Sequence, residues 1–250
     1  MTGKKPKDLH EGSIHKTNKC GFIEVVKYTD AHHVLVRFLE TGYEVSVKAC
    51  VIRTGAIQDR LAKTAFGVGY LGVGDLTLGN SSEAGWSWRS MLSRCYSDRY
   101  LSEKSTYRDC TVDIEWHNFQ AFAKWHLENY PDDGEKYHLD KDLLLVGNRV
   151  YSPKTCVFIP QWLNSFMSGA GAIRGDYLIG VSFSKAHGKF EAYCNHDGMR
   201  VHLGLHKTEC GAHQAWVDKK TEIAKEKKSE MDKIDVRIYP NVITLINTSK

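Results

Sequence analysis

The sequence predicts an α+β protein assembled from small modules, and three observations predict it. Near the start, three short segments alternate apolar and polar residues between glycine-containing turns. Midway, the run His138–Asn164 passes from a strand through a turn and a second strand into a helix. Downstream, three short strands lead directly into one helix with an apolar side. The expected layout is an N-terminal small β-barrel, a central hairpin-and-helix core with flanking helices, and a C-terminal three-stranded sheet plus helix. A chain of 250 residues holds two or three such domains, each with a modest core.

The first module spans residues 8–60. Thr17–Val26, His33–Phe38 and Tyr43–Val47 read as strands of a small, strongly curved barrel, with Thr41-Gly42 and Thr54-Gly55 as tight turns. Residues 61–83 form a connector by their glycine density, AFGVGYLGVG over 65–74. No Gly-Lys-Ser/Thr ends that stretch, so it is not a phosphate-binding loop. In Trp86–Tyr96, Trp88, Met91, Leu92 and Cys95 share one helical face, with Arg89 and Arg94 off it. Cys110–Trp116 alternates like a half-buried strand. Asn118–Asn129 follows as a helix carrying Phe119, Phe122, Ala123 and His126 on one side.

Within HLDKDLLLVGNRVYSPKTCVFIPQWLN, Asp140 ends a strand and Asn164 lies in the closing helix, so the hairpin can bring them together. Gly147-Asn148 and Tyr151-Ser152-Pro153 are the breaks between. A carboxylate and an amide oxygen so placed suit one hard divalent cation against a phosphate. The same residues would equally serve only as caps and turns. Asp142 shares the face of Asp140 if the strand continues, which makes it a reserve ligand.

This stretch resembles the core of the HNH (His-Me finger) endonucleases of bacteriophages, particularly those related to homing endonucleases. The resemblance is carried by Asp140-Lys141, Gly147-Asn148 with Tyr151, Pro153-Lys154-Thr155-Cys156 and Asn164, and upstream by the Trp88-to-Tyr96 and Val112-to-Phe122 patterns. It implies a nuclease domain over 84–168 of ββα type, with Asp140 and Asn164 as ligands of Mg²⁺ or Mn²⁺. Two positions depart from the family: its catalytic histidine falls on Lys141 and its middle asparagine on Thr155. Lys141 would act as a base only with a strongly depressed pKa, or else as a charge that stabilises the transition state. His138 lies two residues before Asp140, on the same strand face, and is the alternative proton acceptor.

Ile179–Ser184, Gly188–Asn195 and Met199–Gly204 are the three later strands, with turns at 185–188 and at His196-Asp197-Gly198. A helix from about Cys210 to Lys225 follows, with Ala212, Ala215 and Trp216 available to pack on the sheet. Gly180-Val181, Gly188-Lys189-Phe190 and Leu203-Gly204 make residues 176–228 similar to the ethylene-response-factor (Apetala-type) DNA-binding domain. Alternation points Phe190, Ala192 and Cys194 at the helix and Lys189, Glu191, Tyr193 and Asn195 outwards. The resemblance assigns double-stranded DNA contacts to Ser182, Lys189, Tyr193, Asn195, Arg200 and His202. Only Arg200 keeps the family's arginine, so base preference is not carried over.

Net charge is +4, too mild to indicate nucleic acid by itself, although lysines gather at 4, 5 and 7 and again at 219, 220, 225, 227 and 228. The stretch 229–250 is expected to be a tail. Seven cysteines with no CxxC pair suggest reduced thiols and no structural zinc. No apolar run reaches transmembrane length, which predicts a cytoplasmic protein without a membrane partner. The function implied is metal-dependent hydrolysis of duplex DNA. Two alternatives stay open: a DNA-binding protein that keeps the nuclease scaffold without activity, and a phage protein that engages a host protein through the N-terminal barrel.

Overall fold

Apolar alternation builds the first sheet. In the computed structural model, which describes residues 6–79, 83–168, 176–196 and 198–249, β1 (Ile14–Lys16), β2 (Phe22–Asp30), β3 (His33–Phe38) and β4 (Glu44–Val47) form an antiparallel meander. Lys4, Lys5 and Asp197 lie outside the described residues. β2 starts later than the sequence suggests because Thr17 and Gly21 close a turn, the Thr17 hydroxyl donating to the Gly21 carbonyl at 2.9 Å. Register shifts between Val25 and Lys27 and between Tyr28 and Asp30 supply the curvature. Ile23, Val25, Val34, Val36 and Phe38 fill one face, and α1 (Ala49–Thr54) adds Ala49 and Ile52 to it. The strands pair in the order β1-β2-β3-β4, a curved antiparallel sheet where a small barrel is expected.

The chain divides into two units, Met1–Leu127 and Glu128–Lys250. In the first, α2 (Glu83–Tyr96) buries Trp88, Met91, Leu92 and Cys95 as its spacing predicts. α3 (Asp98–Glu103) is capped by the Ser97 side chain. The strand expected over Cys110–Trp116 is cut short. β5 is only Thr111–Val112, because Asp113 accepts from the Glu115 amide at 3.0 Å and starts a 3-10 turn over Ile114–His117. α4 (Phe119–Asn129) then packs Phe119 edge-on to Trp88. The glycine-rich stretch is no slack connector. A Cβ on Gly69 would fall 2.5 Å from Leu92, and the Gln120 amide donates to the carbonyls of Leu71 and Leu76. These glycines permit close backbone approach.

In the second unit, β6 (Tyr137–Asp140) pairs antiparallel with β8 (Val157–Pro160), and the short β7 (Val150–Tyr151) lies in the long loop between them. α5 (Gln161–Met167) follows β8 directly. β9 (Val181–Ser184), β10 (Lys189–His196) and β11 (Met199–His206) form an antiparallel sheet with β10 in the centre. α6 (Glu209–Glu226) covers one side, meeting Ala192 and Cys194, the latter in one core with Trp216. The expected tail is a correction: α7 (Lys228–Ile234) and α8 (Ile238–Thr248) bury Met231, Ile238, Val242 and Ile246. Each such side chain contributes about 1.5–3 kcal/mol when buried, a gain no solvated tail would forgo. One apolar core runs from Leu143, Ile159 and Leu163 of the hairpin through Trp216 and Val217 to Ile246. Hairpin and sheet thus share a core within this unit.

Gly180 is the tightest position in that core. Its φ is +79°, and a Cβ there would lie 2.2 Å from the Trp216 indole. Gly180→Ala is expected to cost at least about 2 kcal/mol through backbone strain and overpacking, read as a lower denaturation midpoint.

Candidate nucleic-acid interface and hairpin site

The chain turns sharply after β6, and Asp140 controls that turn. Its Oδ1 accepts from the backbone amides of Asp142 and Leu143, both at 2.8 Å. Burial pushes the Asp140 carboxyl above the usual carboxylate range, the two amides and the Lys141 charge opposing the shift and the Asp142 charge adding to it. Because the strand stops at Asp140, Asp142 does not continue its face. Its carboxylate instead takes the Lys141 ammonium at 2.5 Å. Lys141 is only 8% exposed and donates its second bond to the Asn148 carbonyl at 3.1 Å. Two of its three N–H groups are thus engaged within the loop.

Asn148 clasps the loop. Its amide nitrogen donates to the carbonyls of Lys141 and Val150, and its oxygen accepts from the Val150 amide. Thr155, at the expected middle-asparagine position, donates its hydroxyl to the Val150 carbonyl at 2.8 Å. The loop-organising amide therefore comes from Asn148, which the Gly147-Asn148 pair signalled only as a turn. Burial pushes the Cys156 thiol up to about 12.

His138 and Asn164 are placed differently. His138 Nε2 is hydrogen-bonded to Gln161 Oε1, and Gln161 Nε2 donates to Ser165 Oγ at 2.9 Å. Since the amide oxygen accepts, Nε2 is the donor in this bond. Gln161 opens α5, the helix that holds Asn164 in its second position group, and α5 packs on β6. Asn164 is half-buried, and its side-chain amide makes no hydrogen bond among the described residues.

These residues fit a hard divalent cation in donor type. Asp140 Oδ2 and the Asn164 oxygen are the two candidate ligands, a sparse set of the kind Mg²⁺ accepts when water and phosphate complete its shell. Among the described residues, no group of three His, Cys, Asp or Glu side chains is arranged to hold a metal by itself.

On the sheet, alternation sorts the side chains as the sequence predicts. Ala192 and Cys194 are buried, whereas Lys189, Asn195, Arg200 and His202 are exposed. Register sets Tyr193 opposite His202 and Asn195 opposite Arg200. The Arg200 guanidinium stacks 3.8 Å over the Tyr193 ring, and the His202 ring lies 5.1 Å from the same tyrosine. The Tyr193 hydroxyl donates to Glu191 at 3.0 Å, which raises the tyrosine pKa and holds the glutamate below its usual range. Ser182 pairs with Glu191 across the strands, half-buried, and Lys189 sits opposite Ser184, away from the Tyr193 cluster.

Known protein families, curated proteins and solved structures give no match to this chain. Site and sheet face therefore stand on their own geometry. Sequence reasoning missed Gln161, whose only signal was an amide at the start of the helix that follows the strand paired with β6, and Glu191, whose partner was set by an i, i+2 contact on one strand face.

The raised Asp140 carboxyl sets a testable sign. The folded state holds this proton more tightly than the unfolded one, so wild-type stability falls as pH rises from the usual carboxylate range through the raised value. Asp140→Asn keeps the acceptor oxygen and is expected to remove that fall, melting no lower than wild type at neutral pH. Asp140→Ala orphans two amides and is expected to lose about 1–2 kcal/mol against wild type at acidic pH, a loss that shrinks as pH rises.

Proposed function

We propose that this protein binds duplex DNA through the outer face of β9–β11. The observation that carries this is the Glu191–Tyr193–Arg200 stack: a carboxylate fixes the phenol, and the phenol ring fixes the guanidinium. An arginine held this way loses less side-chain freedom on forming a two-pronged contact with a base edge or phosphate. Exposed Asn195 and His202 flank it in register and add amide and imidazole groups at the same height. Glu191 repels phosphate, so the contact surface is centred on the Arg200 side of the stack rather than the Lys189 side.

Binding is expected to be salt-dependent, weakening steeply between about 50 and about 200 mM salt. Arg200→Ala should cost about 1–3 kcal/mol, and Tyr193→Ala should lower affinity by loosening the arginine, both read by fluorescence anisotropy on a labelled duplex. Unchanged affinity in both variants, or a flat salt response, would reject the sheet face and favour a protein partner instead.

The hairpin favours a second, catalytic reading: metal-dependent hydrolysis of the bound DNA, as in HNH-like endonucleases. Support comes from the β6–β8–α5 order with Asp140 and Asn164 as candidate ligands of Mg²⁺ or Mn²⁺, and from the oriented His138. A divalent cation held there would polarise the phosphate and stabilise the leaving oxygen. His138 Nδ1 takes a proton from the attacking water while Gln161 holds the ring in that tautomer. Lys141 contributes structure through Asp142 rather than proton transfer. Supercoiled DNA incubated with Mg²⁺ or Mn²⁺ should be cut, and chelator, Asp140→Asn or His138→Ala should each lower cutting by at least about a hundredfold. Tight DNA binding with no cutting would leave a scaffold that binds without hydrolysis.

A further inference from the structure

A cleft of about 720 Å³ opens within the second unit, at the end of β10 that β9 does not reach. That volume is in the usual range for small-molecule sites. Its walls are aromatic: Trp162 and Phe166 from α5, Trp216 from α6 and Tyr193 from β10. Its charges have one sign. Arg200, Lys220 and Lys227 line it, and none of the described lining residues is an aspartate or glutamate.

Lys220 is the decisive group. Its amine donates to the Phe166 carbonyl at 2.5 Å and lies 3.5 Å from the Phe166 ring centroid. Burial pulls it down to about 8, with the Cys194 thiol the one group that opposes the shift. No carboxylate forms an ion pair with it among the described residues, whereas Lys227 is held by Glu230 at 2.8 Å. A desolvated cation without an anion costs stability, and it is tolerated where a ligand supplies the missing charge. Flat rings beside it supply stacking surface for a planar group.

We propose that this cleft binds a nucleotide, with its base against Trp162 and its phosphate on Lys220 and Arg200. The ligand is a free mononucleotide or a nucleotide unit of a DNA strand, since both present the same planar base and phosphate. The site does not depend on duplex binding by the sheet face, although Arg200 borders both.

The test is quenching of tryptophan emission by the four deoxynucleoside monophosphates and, in parallel, by short single-stranded DNA, using the full chain. Saturable quenching is expected for at least one of these probes, with inorganic phosphate and the unphosphorylated nucleoside each weaker. Lys220→Met is expected to weaken binding about tenfold or more, as the loss of a charge-assisted bond requires. The same variant should fold and melt no lower than wild type, because it removes an unpaired buried charge. Trp162→Ala should weaken binding while leaving Lys220 in place. Saturation by a monophosphate identifies the free nucleotide as ligand, and saturation by the strand alone identifies the nucleotide unit. No saturable quenching by any probe overturns the proposal, as does unchanged affinity in Lys220→Met. Monophosphate binding that persists in His202→Ala, a variant outside the cleft lining, while duplex binding weakens would separate this site from the sheet face.

Discussion

Everything in the second unit hangs on the packing of α6. Trp216 lies flat against Gly180 on one side and shares a core with Ile159, Leu163, Cys194 and Ile246 on the others. Its indole is the largest side chain among the buried residues of this core, and it fits only if the backbone at 180 has no Cβ. The glycine admits the tryptophan, the tryptophan anchors the helix, and the helix backs the sheet. The outer sheet face can present a rigid arginine because its inner face is sealed.

The same core explains why the hairpin is ordered. Leu143 and Leu144 follow the Asp140 turn directly and enter the apolar cluster, and the Asn241 side chain from α8 holds the Leu143 carbonyl at 2.9 Å. Loop residues 141–156 are then organised from within by Asn148 and Thr155, both converging on Val150. Polar groups here are spent largely on the loop itself.

Charge follows a similar logic. Lys141 and Lys220 are both largely withdrawn from water, yet their fates differ. Lys141 has Asp142 beside it and becomes a structural ion pair. Among the described residues, Lys220 meets a carbonyl and two rings and pairs with no carboxylate. Two lysines of equal intrinsic chemistry thereby take opposite roles, one closing a turn and one charging a cleft.

Local pattern determined much of this by itself. The helical spacing of Trp88, Met91, Leu92 and Cys95, the alternation around Ala192 and Cys194, and the strand-to-helix order ending at Asn164 follow from short-range periodicity, which needs no knowledge of neighbours. Tertiary structure alone decided what periodicity does not encode. Whether residues 229–249 are a tail or two core helices depended on a partner surface for Ile238, Val242 and Ile246. Whether Lys141 faces a phosphate or an aspartate depended on where the strand ended. Partners distant in sequence set each outcome, and the free energy of meeting them exceeds local preference.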